Sequence, residues 1–438
     1  MQIRIRTLTP IWSGDVNRQC TRLRETSIIG SLRWWFEALV RGFGGYACDP
    51  TSSEKCEYRY NTNDICAVCE LFGTTGWAKR FKFEIKQSFR QIYEDSLVIG
   101  GSSRNWYYPS GLISCNSVLN MLEQILPFEL KDKDSENPNQ ENDLVKHIFN
   151  VLFTFISNWG MIGGKTAIGY GAVRFEDESG NSLKASNEDI KRFFKYLEKK
   201  EKLGKDAKNA PRIDEMFFAR FKINEECIDK IIEKIKENIL RTPNSIYKCN
   251  RTEEIISDGK KFLERLMDYY GFIPTSALVR KELRKRFRED YINNNPNTCS
   301  SWIQQLSTDA LKELRHFIMG ELGRFSAINV SHIYGNGKSW EFRVYGWIPK
   351  DIRQRLNINN IKIKRSDIID YLKQIFNDQQ FWQACLGSFC FLQKAEDKQV
   401  IVEYPNDGWN FIDFGKLNRE ETKEAFSKIL RGGENENR

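Results

Sequence analysis

Four thiols stand where a metal could gather them. CDPTSSEKC followed by CAVC places Cys48, Cys56, Cys66 and Cys69 within 22 residues. A tight C-x2-C pair plus two spaced cysteines is a ligand set for a tetrahedral four-cysteine zinc site, closed and structural rather than catalytic. The stretch between them is polar and loop-like, so a metal staple would have something to order. The first spacing departs from the paired C-x2-C form. Four unrelated thiols, or a redox pair at Cys66 and Cys69, therefore stay open as alternatives. Cys20, Cys115, Cys227, Cys249, Cys299, Cys385 and Cys390 are scattered and receive no role.

A second candidate is WGMIGGKTAIGYGAVRF, residues 159–175. Its Gly-Gly-Lys-Thr is not a nucleotide-triphosphate loop. Trp159 occupies the position of the first glycine, and the segment follows a helical pattern and precedes a strand-like one, the reverse of a P-loop. Gly163 and Gly164 permit a close backbone approach. Lys165, Thr166 and the main-chain amides can donate to phosphate, and Tyr170 can stack on a base. A plain helix C-cap is the alternative, but it needs only one glycine.

Arginine is concentrated at the front of the chain, with seven before residue 50 and no lysine there. Its planar fork grips phosphate and stacks on bases. Arg22 and Arg24 precede a helix, whose N-terminus attracts anions. Arg33 and Arg41 flank Glu37 at i, i+4 spacing, which serves intrahelical pairing equally well. Trp34 lies off the helix's apolar stripe, placed to pack under a loop or neighbouring subunit or to stack on a base. Farther on, Arg280, Arg284 and Arg288 belong to RKELRKRFR, which holds one acid, Glu282. A solvated face or an anionic partner explains such a run. Histidine, the usual acid/base group near neutrality, occurs only at His147, His316 and His332. His332, beside Tyr334, Gly335 and Gly337, is the one candidate general acid/base, with a structural strand or loop histidine as the alternative.

Alternation predicts a strand over 2–7, and apolar spacing a helix over 27–41. A strand follows at 80–86, with 95–99 as its pairing partner. A helix spans 144–159, and a last strand follows the glycine loop. The order βαββαβ is the split βαβ pattern of ferredoxin-like folds. Residues 131–143 read as a mobile polar loop and 177–214 as a charged helical linker. A second, divergent ferredoxin-like domain with helical insertions spans 215–430, and 431–438 reads as a disordered tail. The fold class is thus α+β. The net charge of +8 favours an anionic partner. No apolar run reaches membrane length, and the N-terminus lacks a signal-peptide core. The expectation is a cytoplasmic protein with its eleven cysteines reduced.

LRETSIIGSLRWWFEALVRG (23–42), CAVCELFGTTGWAKRF (66–81) and GGKTAIGYGAVRF (163–175), in this order, resemble the RAMP superfamily of CRISPR-associated proteins. The first RAMP subunit of the type III-B effector, the Cmr complex, has the most similar pattern, and FRVYGWIP (342–349) resembles a later stretch of it. The resemblance implies two ferredoxin-like, RRM-like domains with glycine-rich loops in an antiviral ribonucleoprotein. It also implies a non-catalytic role, contacting the 3′ region of a guide CRISPR RNA and the target RNA beside other RAMP subunits. Arg24, Ser27, Gly30, Ser31, Arg33 and Trp34 match the first motif. Gly73, Trp77 and Arg80 match the second, and Gly163, Gly164, Lys165, Gly169 and Gly171 the third. A metal-independent RAMP-type endoribonuclease processing CRISPR transcripts is the alternative.

Overall fold

The alternation of QIRIRT buries Ile3, Ile5 and Thr7 and turns Gln2, Arg4 and Arg6 outward, so β1 (Gln2–Thr7) has one wet face. In the computed structural model, the described residues are 1–53, 55–59, 65–86, 89–100, 105–115, 117–123, 144–198, 210–243, 246–247, 253–254, 256, 258–292, 301–320, 326–335, 339–352, 363–387 and 409–431. The expected loop at 131–143, the tail beyond Arg431, and Cys249, Cys299 and Cys390 lie outside them.

The first sheet is antiparallel. Strand β1 pairs with β3 (Ser117–Glu123) and β4 (Val173–Glu176), and β2 (Phe81–Lys86) joins the far side of β3, giving the order β2-β3-β1-β4. Two helices supply apolar faces to the core: α1 (Glu25–Gly42), through Ile28, Leu32, Trp35, Phe36 and Leu39, and α3 (Leu144–Trp159). The short α2 (Ala67–Phe72) lies between α1 and β2 in the chain. One pairing differs from expectation. Leu97–Ile99 joins Trp106–Tyr108 and Ile239–Arg241 in a separate three-stranded sheet, and β2 takes β3 instead. All three residues of that strand are buried, which does not suit the partner of a half-wet strand.

The second sheet is also antiparallel, with β5 (Met216–Ile223) at its centre. Strands β7 (Trp340–Trp347) and β8 (Trp409–Asp413) flank β5, and β6 (Ile333–Gly335) lies beyond β7. Its order β6-β7-β5-β8 repeats that of the first sheet, with Phe272–Ile273 added at the β6 edge. Between β5 and β6 come α4 (Gly259–Tyr270) and the arginine-rich α5 (Ser276–Ile292).

The two halves share a core. Trp35 of α1 packs on Phe155, Phe218 and Tyr345, drawing rings from both halves. Arg343 of β7, 2% exposed, donates to the carbonyls of Ile156, Ser157 and Gly160 at the end of α3. A buried guanidinium there serves carbonyls at the helix's C-terminal end, where the helix leaves some without partners. Helix Asn187–Glu198, from the expected linker, packs on the first half through His147–Asp189 and through Phe193 against Phe36 and Phe43. Cys115 and Cys227 are disulfide-bonded, which corrects the expectation of eleven reduced thiols. Among the described residues no helix is long and apolar enough to cross a membrane.

Candidate nucleic-acid interface and cysteine centre

Three chain segments build the cysteine centre. Cys48 follows the end of α1, where buried Arg41 donates to the carbonyls of Ala47 and Cys48 and to Glu37. Cys56 comes from the following loop. Cys66 caps the N-terminus of α2, its sulfur accepting the Cys69 N–H, and Cys69 lies one turn on. All four are buried, and their sulfurs lie within 4.8 Å of one another. Cys48–Cys69 measures 3.5 Å and Cys48–Cys66 3.9 Å. A disulfide requires about 2.05 Å, whereas a tetrahedron of metal–sulfur bonds near 2.3 Å spaces its sulfurs by ~3.8 Å. The set therefore fits a single metal ion. Four buried sulfurs converging on one point are not four unrelated thiols. The thiols also raise neighbouring Tyr46 to about 12, where burial is the larger cause.

Arg33 braces this centre to α1. Its guanidinium donates to Cys69 Sγ (3.4 Å), to the Gly73 carbonyl and to Glu37. Burial pushes the Glu37 carboxyl upward, against the downward pull of the guanidiniums of Arg41 and Arg33. Trp77, 7% exposed, donates to the Glu70 carbonyl and packs on Tyr58, and buried Arg80 lies over its ring at 4.8 Å. Arg33, Arg41, Trp77 and Arg80 are thus engaged internally. The expected phosphate and base contacts give way to support of the cysteine loop.

The glycine loop closes on the protein's own chain. A Cβ on Gly163, whose φ is +81°, would lie 2.7 Å from the Trp12 carbonyl, and Gly164 bridges Trp12. A Cβ on Gly169 would strike His332 at 2.5 Å. The close approach expected of these glycines is real, but it serves the internal seam. Tyr170 is 1% exposed and donates to the Pro109 carbonyl, so its expected stacking on a base is corrected. Thr166 donates to Asn329.

One side of the loop remains open. Gly164 and Lys165 are exposed, and the Lys165 ammonium sits 4.7 Å above the half-buried Trp12 ring. Partial loss of water there lowers its pKa from the usual lysine value. Lys165 adopts the left-handed conformation, φ +60°, immediately before the turn Thr166–Ile168. That sequence of conformations turns successive amides toward a common concavity, a geometry that receives anions. The amides of Lys165, Thr166 and Ala167 make no hydrogen bond among the described residues. The Gly163 N–H donates to Ser31 Oγ (2.8 Å), and the Arg24 N–H donates to Ser13 Oγ, joining the loop to the start of α1. Arg22 and Gly30 are exposed there, and Ser27 and Trp34 half-buried. The Arg24 guanidinium stands 3.9 Å from Asp15 and is about a third exposed. This face can bind a phosphate backbone and offer Trp12 and Trp34 to bases. Trp12 was not distinguishable from a core tryptophan in the sequence; only the lysine above it marks it.

The second arginine group is divided. Arg280, 2% exposed, donates to the carbonyls of Ile328 and Met319 and to Ser326. Burial, then neighbouring Arg284, pulls its pKa down to about 9. Arg284 donates to the carbonyls of Met319 and Gly320 (2.9 Å). Both guanidiniums lie by the Trp106 ring and cap helix Thr308–Met319. Their expected partner, an external anion, is replaced by the negative end of that helix. Arg288 alone is exposed, beside Arg315.

His332 is fully buried between Tyr108, Tyr170 and Phe272, and neither ring nitrogen has a hydrogen-bond partner among the described residues. Burial alone drives its pKa down to about 3. His147 pairs with Asp189 at 2.5 Å, and His316 lies in the last turn of its helix. The His332 ring thus has no open edge toward an external substrate.

Residues 4–174 match the family described as the RAMP superfamily. The match takes in the open face and the cysteine centre together. No curated protein matches the chain. Among solved structures, the chain is similar to apo Cmr1 from Pyrococcus furiosus at 14% identity and TM-score 0.35, covering 85% of this chain and 96% of that one. A chain of the type III-B Cmr-beta complex bound to cognate target RNA is similar at 13% identity and TM-score 0.31, covering 84% and 98%.

Proposed function

We propose that the protein is a non-catalytic RNA-binding subunit of a cytoplasmic type III-B CRISPR effector, contacting the guide RNA 3′ region and target RNA beside other RAMP subunits. The observation that carries this is the open end of the glycine loop, where Lys165 lies over Trp12 beside amides unpaired among the described residues and the loop is tied to α1, whose start carries Arg22 and Arg24. Two ferredoxin-like domains, residues 1–176 and 215–430, are the architecture we infer from the repeated strand order. The sealed surroundings of His332 favour this reading over a ribonuclease using that residue.

The test is a native pull-down of a tagged copy with the bound RNA sequenced. Short RNAs sharing one repeat-derived tag, recovered with other RAMP subunits, are expected. A lone protein that cleaves repeat RNA would overturn the assignment. Affinity for RNA should also fall steeply with salt, since each neutralised phosphate releases counterions.

Cys48, Cys56, Cys66 and Cys69 would hold a zinc ion, which would supply a structural cross-link between α2 and the end of α1. Elemental analysis should find one zinc per chain. Chelation should expose the four thiols to a thiol reagent, and a metal-free protein with full stability would remove this claim.

A further inference from the structure

The outer face of β1 carries charge that neither the glycine loop nor the cysteine centre uses. Arg6 stands directly opposite Arg174 of β4. Like charges at opposed positions of an antiparallel pair repel. One carboxylate, Glu176, lies 3.8 Å from Arg6. The Arg174 side chain is half-buried and makes no hydrogen bond or close ion pair among the described residues. Burial, with Arg6 and Arg343 nearby, holds its guanidinium below the usual arginine value. Two arginines at opposed strand positions with one nearby carboxylate leave an excess of positive charge that suits an anion.

Beside them opens a crevice of about 340 Å³ between the two halves, lined by Arg6, Thr7, Ser114, Tyr270, Gly271 and Gly335. That volume falls at the small end of ligand pockets, roughly 300–1,000 Å³. One wall is bare main chain. Gly335 donates its N–H to the Gly271 carbonyl (2.7 Å), and a Cβ on Gly271 would meet nothing. Such a wall admits a flat group closely. Tyr270 adds a ring, and its buried hydroxyl has no hydrogen-bond partner among the described residues. A buried hydroxyl without a partner is uncommon in a settled core and leaves a donor for a ligand to use. Asp268 also lines the crevice, and its carboxylate is 3.8 Å from Arg265.

We propose that this crevice receives one nucleotide unit, its phosphate on Arg6 and Arg174 and its base along the Tyr270–Gly271 wall. The inference rests on the RNA-binding reading above for its natural ligand, a nucleotide of bound RNA. A free nucleoside monophosphate has the same chemistry, and the experiment separates the two.

The intact protein is irradiated with single-stranded RNA carrying 4-thiouridine, and crosslinked peptides are identified by mass spectrometry. Binding of uridine monophosphate and of inorganic phosphate is measured in parallel by calorimetry. A crosslink within residues 267–271, reduced about tenfold in Arg6→Ala/Arg174→Ala, is the expected result. The double variant should melt no lower than the parent, since it removes a repulsive pair. Saturable binding of uridine monophosphate, lost in Arg174→Ala and without a crosslink, would support the crevice as a free-nucleotide site while counting against the RNA reading. Phosphate binding as well as uridine monophosphate would overturn the proposal, because the wall would then contribute nothing. RNA crosslinked at Trp12 and Trp34 alone, with no mononucleotide binding, would overturn the crevice and leave the RNA-binding face intact.

Discussion

Two arginine-rich helical regions of this protein look alike as strings of residues and differ in what they face. At the start of α1, Arg22 is exposed and Arg24 is held only by an ion pair at 3.9 Å. In α5, Arg280 and Arg284 turn inward onto the last carbonyls of a neighbouring helix. The difference lies in the neighbour. A helix C-terminus presents a partial negative charge and carbonyls without intrahelical partners, so it takes up a guanidinium as a phosphate would. Nothing of that kind packs against Arg22 among the described residues. The glycine loop shows the same contrast along its own length: its Gly169 end is sealed around His332, whereas its Gly164–Lys165 end is open.

Breaking the sealed side should cost stability first. Arg280→Ala removes a buried charged donor shared by the Ile328 and Met319 carbonyls and Ser326, and we expect a loss of about 3 kcal/mol in denaturant unfolding, since hydrogen bonds from charged donors contribute roughly 1.5–3 kcal/mol each. RNA affinity measured on the remaining folded protein should not change. A variant with normal stability but weak RNA binding would move Arg280 to the other side of the comparison.

His332 should make the sealed seam acid-sensitive. Its folded pKa, lowered to about 3, lies under its ordinary value. The unfolded chain therefore binds the proton first. This contribution to stability is complete above about pH 6.5 and is lost progressively as the pH falls toward 3. By pH 5 the loss is about 2 kcal/mol, at 1.36 kcal/mol per pH unit. His332→Phe should remove that step from a titration of the unfolding free energy between pH 7 and 5, and an unchanged profile would show that the ring is not buried neutral.

On the open side the effects should be smaller in energy and confined to binding. Arg24→Ala combined with Lys165→Ala should weaken single-stranded RNA binding by about tenfold, near 1.4 kcal/mol, with the melting temperature unchanged. The slope of affinity against salt should fall by about two phosphate contacts. A variant that unfolds, or that keeps the parental slope, would place these residues among the structural ones.

Much of the fold was legible because periodicity carries it. The alternation of QIRIRT and the stripe Ile28, Leu32, Trp35, Phe36 and Leu39 dictate a half-wet strand and a helix with one buried face, and both form. The cysteine spacing likewise anticipated a cluster, because Cys66 and Cys69 on one helical turn need little help to converge. Which strand pairs with β2 was not legible, since pairing is a contest between distant segments, and Leu97–Ile99 is better buried elsewhere.

The sequence by itself thus determined the local elements, the basic balance, the thiol set and the ordered motifs of the RAMP region. Only the tertiary structure decided which arginines are free. Residue type fixes a charge but not its partner. Carbonyls at helix ends compete for the same guanidinium as an RNA phosphate, and only packing brings them within reach. The same reason separates Tyr170, locked onto Pro109, from Trp12, left beneath a lysine at the surface.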